Sequence, residues 1–206
     1  MFINWAKREI SIKIVYYGPG LSGKTTNLEH IYSKIDPSHR GEMVSLKTKD
    51  DRTIFFDFME FKLGQLQGKI PRFRLYTVPG QRFYASSRKI ILSGADGIVF
   101  VADSQRSRLS ENMGSLLDLE KNFIAERRTL ADVPYVIQYN KRDLDQILPV
   151  GLLQKKLNFL NAPYFEAIAN RGIGVADTLK MIIQLVIEDI ERKLRAQSAV
   201  PKRDFK

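Results

Sequence analysis

Cysteine is absent from the 206 residues. That excludes a disulfide framework, a thiolate metal site and a cysteine nucleophile, and it fits a reducing cytosol. Long hydrophobic runs are missing as well. No apolar stretch reaches the roughly 18 to 20 residues that a membrane span needs. The opening MFINWAKREI lacks the apolar core of a secretory signal, so a soluble, cytoplasmic protein is expected. Internal repeats and low-complexity segments are also lacking. What remains is ordinary for a globular chain, with 44% hydrophobic and 27% charged residues. This length suits one domain that buries its own core.

Acidic residues are the minority, and the formal net charge is +10. Its placement is informative. From Arg192 to Lys206, six basic residues (Arg192, Lys193, Arg195, Lys202, Arg203, Lys206) face Asp204 alone, so half of the excess lies in the last fifteen residues. Such a tail can attract phosphate or give weak contact with anionic lipid; its plain reading is a solvated, frayed terminus. Interleaved aromatics, zinc spacing and RNA-binding signatures are missing, so no dedicated nucleic-acid site is expected. The tail has no cysteine to carry a lipid. The expected division is a globular domain over residues 1–195 and a basic, disordered tail over 196–206.

Along the chain, β-branched apolar runs alternate with amphipathic ones. Ile10–Tyr17, Thr53–Phe58, Phe73–Val78, Gly97–Ala102, Tyr135–Tyr139 and Tyr164–Ala167 read as strands, with a short strand over Met43–Leu46. A polar turn around Gly64–Gly68 makes the second and third of these an antiparallel hairpin. Lys24–Ser33 and Val150–Phe159 read as helices. Leu109, Met113, Leu116 and Phe123 mark the apolar stripe of another helix, and Val175, Leu179, Ile182, Val186 and Ile190 that of the last. This alternation predicts an α/β three-layer sandwich. Its sheet is mostly parallel, six-stranded or extended, with one antiparallel strand and helices on both faces. Ligands on such sheets bind at the carboxyl ends of the strands.

Gly18-Pro19-Gly20-Leu21-Ser22-Gly23-Lys24-Thr25 fits G-x-x-x-x-G-K-[ST] at every fixed position, with a strand before it and a helix after it. Backbone N–H groups from Gly18, Gly20, Leu21, Ser22 and Gly23 into Thr26 would surround anionic oxygens. Lys24 would reach the β- and γ-phosphates, and the Thr25 hydroxyl would bind Mg²⁺. The glycines permit close backbone approach. Asn140-Lys141-Arg142-Asp143 follows another strand. The carboxylate of Asp143 can accept from both N1–H and the 2-amino group of guanine. Adenine offers no such pair and would leave that carboxylate desolvated and unpaired. Asn140 can brace the loop, and Lys141 can lie against the ring.

With these motifs in hand, the chain resembles the Ras-like small GTPases, a P-loop NTPase superfamily. Over most of its length it looks like the bacterial polarity and gliding-motility GTPases of the MglA type. KIVYYGPGLSGKTTN, DDRTIFFDF, LYTVPGQ, GIVFVADSQ and PYVIQYNKRDL carry the resemblance. It implies a switch that binds GTP and GDP with Mg²⁺ and hydrolyses GTP. Gln81 would orient the attacking water and the Gly80 N–H would sense the γ-phosphate. Thr53 would bind Mg²⁺ in the GTP state, and Arg52 would serve as an arginine finger in cis. The stretch Glu166-Ala167-Ile168-Ala169 takes the place of the last guanine loop, where the Ala169 N–H would reach the guanine O6. Ile168 and Asn170 depart from the usual serine and lysine there. A further departure is Thr77, where small GTPases have an aspartate that binds Mg²⁺ through water; the MglA type shares it.

The resemblance also implies a monomer that responds to a Roadblock-domain, MglB-type activating protein and to polarity effectors. It would alternate between the cytoplasm and a cell pole. The polar segment Ser33–Asp51 would rearrange on loss of the γ-phosphate. Three rival readings remain: a nucleotide-binding pseudo-GTPase, favoured by Thr77; a P-loop kinase or ATPase, which needs no guanine-reading aspartate; and nucleic-acid binding through the tail.

Overall fold

The computed structural model describes residues 2–47, 53–66, 68–80 and 85–198. The strands are β1 (Phe2–Asn4), β2 (Glu9–Tyr17), β3 (Val44–Lys47), β4 (Thr53–Lys62), β5 (Ile70–Thr77), β6 (Gly97–Asp103), β7 (Tyr135–Asn140) and β8 (Tyr164–Glu166). The helices are α1 (Lys24–Lys34), α2 (Ala85–Leu92), α3 (Leu109–Ala125), α4 (Val150–Leu157) and α5 (Val175–Ser198). The eight strands form one sheet in the order β3-β4-β5-β2-β6-β7-β8, with β1 pairing to β2 off this path. β5, β2, β6, β7 and β8 run parallel. β4 is the one reversed strand of the six-stranded core, antiparallel to β5. β3 extends the edge beyond it, and β1 lies antiparallel against the first half of β2.

Burial follows coverage. β6 and β7 are buried at every residue, as apolar strands covered on both faces must be. β2 alternates over its first residues and becomes continuously buried from Ile14, where β6 joins it. β5 alternates throughout. Two core clusters line the two faces. Ile10, Ile12, Ile14 and Tyr16 pack with Leu28 and Ile31 of α1 and with Ile182, Val186 and Ile190 of α5. Val15 and Tyr17 pack with Ile91 of α2, Leu116, Leu119 and Phe123 of α3, and Leu153 of α4. The three layers follow from this division of neighbouring residues between opposite faces. Gly97 lets α5 come close, since a Cβ there would lie 2.5 Å from Cγ2 of Val186.

Several local readings shift. The hairpin strands are longer than expected, β4 reaching Lys62 and β5 starting at Ile70. The buried stripe of α3 runs through Asn112, Leu116, Leu119 and Phe123, while Met113 stands 38% exposed. β1 and α2 have no counterpart in the sequence reading. α5 continues past residue 195 to Ser198; residues 199–206 lie outside the described residues, as do Arg52 and Gln81.

Candidate functional site

The phosphate loop leaves the end of β2 and runs into α1. Two of its glycines have left-handed φ values, 143° at Gly18 and 97° at Gly23, where other residues are strained. Both are also hemmed in. A Cβ at Gly18 would meet the Val101 carbonyl oxygen at 2.2 Å, and one at Gly23 would meet Nδ2 of Asn140 at 2.2 Å. The space at Gly23 admits the Asn140 side chain, whose amide donates to the Ser22 carbonyl at 2.8 Å. Its Oδ1 accepts from the Ala169 N–H at 2.9 Å. One buried asparagine at the end of β7 therefore ties together three segments that the sequence keeps far apart. The N–H expected at the guanine O6 is donating to Asn140 in this arrangement.

Behind the loop, Asn27 of α1 donates to the Gly23 carbonyl at 2.9 Å and exchanges two amide hydrogen bonds with Gln138 of β7. Gln138 also donates to Thr178 of α5 at 3.0 Å. These buried amides fix the start of α1 against the sheet. The hydroxyl of Ser22 is buried without a hydrogen-bond partner among the described residues.

Lys24 is buried, and its ammonium donates to the carbonyls of Gly18 at 3.0 Å and Pro19 at 2.7 Å. Desolvation pulls its pKa down to about 7; the Asp57 carboxylate opposes the shift, while the guanidinium groups of Arg88 and Arg108 add to it. Arg108, just before α3, donates to the Gly20 carbonyl at 2.8 Å. Gly80 presses on the same residue, since a Cβ there would lie 2.2 Å from the Gly20 nitrogen. The chain leaving β5 thus rests on the phosphate loop.

Asp57 was not among the residues singled out in the sequence. It is fully buried on β4. Thr25 donates to its Oδ2 at 2.5 Å, Thr77 donates to the same oxygen at 2.7 Å, and Ser45 donates to Oδ1. The Asp57 N–H in turn donates to the Thr77 hydroxyl at 2.9 Å. A carboxylate therefore stands beside Thr25 although position 77 has none; it comes from the neighbouring strand. An aspartate in the middle of the apolar run IFFDFM was the available signal, because an isolated acid is rarely buried there without a partner. The oxygen-rich set of Thr25, Asp57 and Thr77 fits a hard divalent cation such as Mg²⁺. Thr53 opens β4 beside Lys47 of β3.

Ion pairs anchor the base-side loop to the ends of β6 and β8. Lys141 has φ 65°, and its ammonium lies 2.7 Å from the buried Asp103 at the end of β6. Arg142 binds Glu166 and the Leu148 carbonyl, each at 2.8 Å, while Asp143 is exposed.

A phosphate loop braced by the asparagine of N-K-x-D, at the carboxyl ends of parallel strands, narrows the comparison to nucleotide switches. The sequence pattern of the ADP-ribosylation factor family matches residues 1–192. The chain belongs to this family of Ras-like small GTPases. It is 52% identical over 191 residues to the mutual gliding-motility protein MglA of Myxococcus xanthus, covering 93% of this chain and 98% of that one. It is 24% identical over 190 residues to the Ypt/Rab-type GTPase ypt7 of Schizosaccharomyces pombe, covering 90% and 86%. Membership implies, in general terms, guanine-nucleotide and Mg²⁺ binding and GTP hydrolysis. None of the described helices is long and apolar enough to cross a membrane.

Proposed function

We propose that this chain is a GTP-hydrolysing molecular switch of the MglA type that controls cell polarity or gliding motility through nucleotide-dependent partner binding. The observation that carries the reading is the pair of hydrogen bonds by which Asn140 donates to the Ser22 carbonyl and accepts from the Ala169 N–H. It joins the phosphate loop, the base-side loop and the Glu166–Ala169 loop into one pocket. The relationship to a protein named for mutual gliding motility supports the cellular role.

In this reading the N–H groups of Gly18, Gly20, Leu21, Ser22, Gly23 and Thr26 hold the phosphates, with Lys24 at the β- and γ-oxygens. The Gly80 N–H, in the stretch that rests on Gly20, senses the γ-phosphate. Asp143 selects guanine, Lys141 lies along the ring, and the Ala169 N–H shares its hydrogen between Asn140 and O6. Thr25 and Thr53 would hold Mg²⁺, with Asp57 and Thr77 behind them; the bound ion would supply positive charge against that developing on the phosphates. Gln81 orients the water and Arg52 stabilises the developing charge. An activator, for which the resemblance implies a Roadblock-domain protein of MglB type, then only presses these groups into place. GTP-dependent effector binding and recruitment from the cytoplasm to a pole follow as the output.

The pseudo-GTPase reading rests on Thr77, and the Asp57 carboxylate beside Thr25 weighs against it. Single-turnover hydrolysis separates the two: Arg52→Ala should slow it about 10³-fold or more while nucleotide affinity is kept. Bound GTP that persists in the wild-type protein for hours, even with activator, would end the enzyme reading. Guanine selection is tested by Asp143→Asn, which should shift preference from GTP toward XTP.

A further inference from the structure

At the end of the sheet remote from the phosphate loop, two turns lie side by side. One links β1 to β2, the other β4 to β5. They are joined by the Ile70 N–H donating to the Arg8 carbonyl at 2.8 Å, and the Lys69 ammonium sits 4.8 Å from the centroid of the Trp5 ring. Large apolar side chains project from both, Trp5 72% and Leu63 57% exposed, and Phe2, 67% exposed, lies on β1 opposite Ser11. Residues 2–8 and 61–70 contain Lys7, Arg8, Lys62 and Lys69 and no acid. The acids that adjoin these segments are both paired: Glu9 with Arg72 and Lys62 at 2.8 and 3.2 Å, and Glu60 with Arg72 and Arg74 at 2.7 and 3.0 Å.

We infer that this end is a docking surface for anionic lipid. Neighbouring turns that expose Trp5 and Leu63 beside Lys7, Arg8 and Lys69 suit a flat interface. There the rings enter the headgroup layer and the cations meet lipid phosphate. Tryptophan and lysine are the residue types that settle at this depth. The sign of the charge complements an anionic leaflet.

The direction of the chain adds to the argument. α5 begins beside the nucleotide loops and packs along β6, β7 and β8. Its 24 residues run about 36 Å, antiparallel to the strands. The end of α5 therefore arrives at the same end of the sheet as Trp5; its Arg192 and Lys193 pair with Asp189 and its Arg195 with Glu191, and Lys202, Arg203 and Lys206 follow in sequence. β2 alone, nine residues long, separates this end from the phosphate loop by about 27 Å. A lipid-docked molecule keeps its nucleotide pocket and switch segments turned away from the surface and free for partners. The inference does not depend on which nucleotide the pocket takes.

Trp5 is the only tryptophan, so its emission reports this surface alone. Full-length protein mixed with phosphatidylcholine vesicles that contain phosphatidylglycerol should show a blue shift of that emission and should co-sediment with the vesicles. Both effects should fade at high salt and be absent with pure phosphatidylcholine. Lys7→Glu, Arg8→Glu and Lys69→Glu combined should lower the partition coefficient by roughly a hundredfold or more, with circular dichroism and nucleotide binding unchanged. A second variant, Trp5→Ser with Phe2→Ser, should lower co-sedimentation without altering the charge. The inference is overturned if anionic vesicles leave the emission unmoved. It is equally overturned if neutral vesicles bind as well, if the glutamate variant binds like wild type through its tail alone, or if only a soluble polyanion such as heparin shifts the emission.

Discussion

Asn140 and Ser22 are 118 residues apart in sequence, and the side-chain amide of one donates to the carbonyl of the other at 2.8 Å in a buried position. The same side chain accepts the Ala169 N–H, so removing it leaves a carbonyl and an N–H without partners inside the pocket wall. Each such loss costs about 1 to 3 kcal/mol. Asn140→Ala should therefore accelerate GDP release by about ten- to a hundredfold or more, as measured by displacement of a fluorescent analogue. Release at the wild-type rate would mean that the three loops hold their places without it.

Asp57 makes a prediction about magnesium. Asp57→Asn keeps the shape but replaces an acceptor oxygen by a donor amide facing the hydroxyls of Thr25, Thr77 and Ser45. The Mg²⁺ concentration that half-maximally slows GDP release should rise by about tenfold, the size of one charge-assisted hydrogen bond. Release without Mg²⁺ should change little. An unchanged Mg²⁺ dependence would leave Asp57 as a purely structural clasp between β3, β4 and α1.

Lys24 couples nucleotide binding to protons. Desolvation, the largest cause, holds its pKa at about 7 against an ordinary 10.5. Polyphosphate brought beside it favours the charged ammonium, so binding above pH 7 should take up a proton. The enthalpy of nucleotide binding should then vary with the ionisation enthalpy of the buffer, more at pH 9 than at pH 6. Lys24→Met should abolish that dependence. For the nucleotide-free protein, the unfolded state binds more protons than the folded one between pH 7 and 10.5, so this group's contribution to stability increases as pH rises through that window.

Gly20 and Gly80 differ in what they tolerate. A Cβ at Gly80 would overlap the Gly20 backbone at 2.2 to 2.5 Å, whereas a Cβ at Gly20 meets Gly80 atoms only at 3.8 Å. Gly80→Ala should push the segment after β5 off the phosphate loop and slow single-turnover hydrolysis by about tenfold or more, an energetic change of about 1.4 kcal/mol or above. Gly20→Val should fit within the protein but crowd the γ-phosphate and water, again slowing hydrolysis. Both variants should hold GDP nearly as well as wild type, because the Lys24 and Asn140 contacts lie elsewhere. If Gly80→Ala hydrolyses GTP normally, the observed contact is dispensable.

Much of the architecture was legible because it depends on periodicity. GIVFVAD is apolar at every position but the last and YVIQYN at four of six, and such runs lie inside a covered sheet. The phosphate loop and N-K-x-D were legible because their chemistry is confined to a few adjacent residues. β1 escaped because three residues carry no period. α2 is short and follows residues that the resemblance assigned to the γ-phosphate.

The amino-acid sequence by itself determined the layers, the direction of the strands and the two motifs that frame a nucleotide. Tertiary structure alone decided how the motifs meet: Asn140 entering the space left by Gly23, Lys141 drawn to Asp103, and the carboxylate beside Thr25 arriving from β4 rather than from the end of β5. These are relations between residues distant in sequence. They depend on strand register and on which buried polar groups find partners, and no local pattern of residue types encodes either.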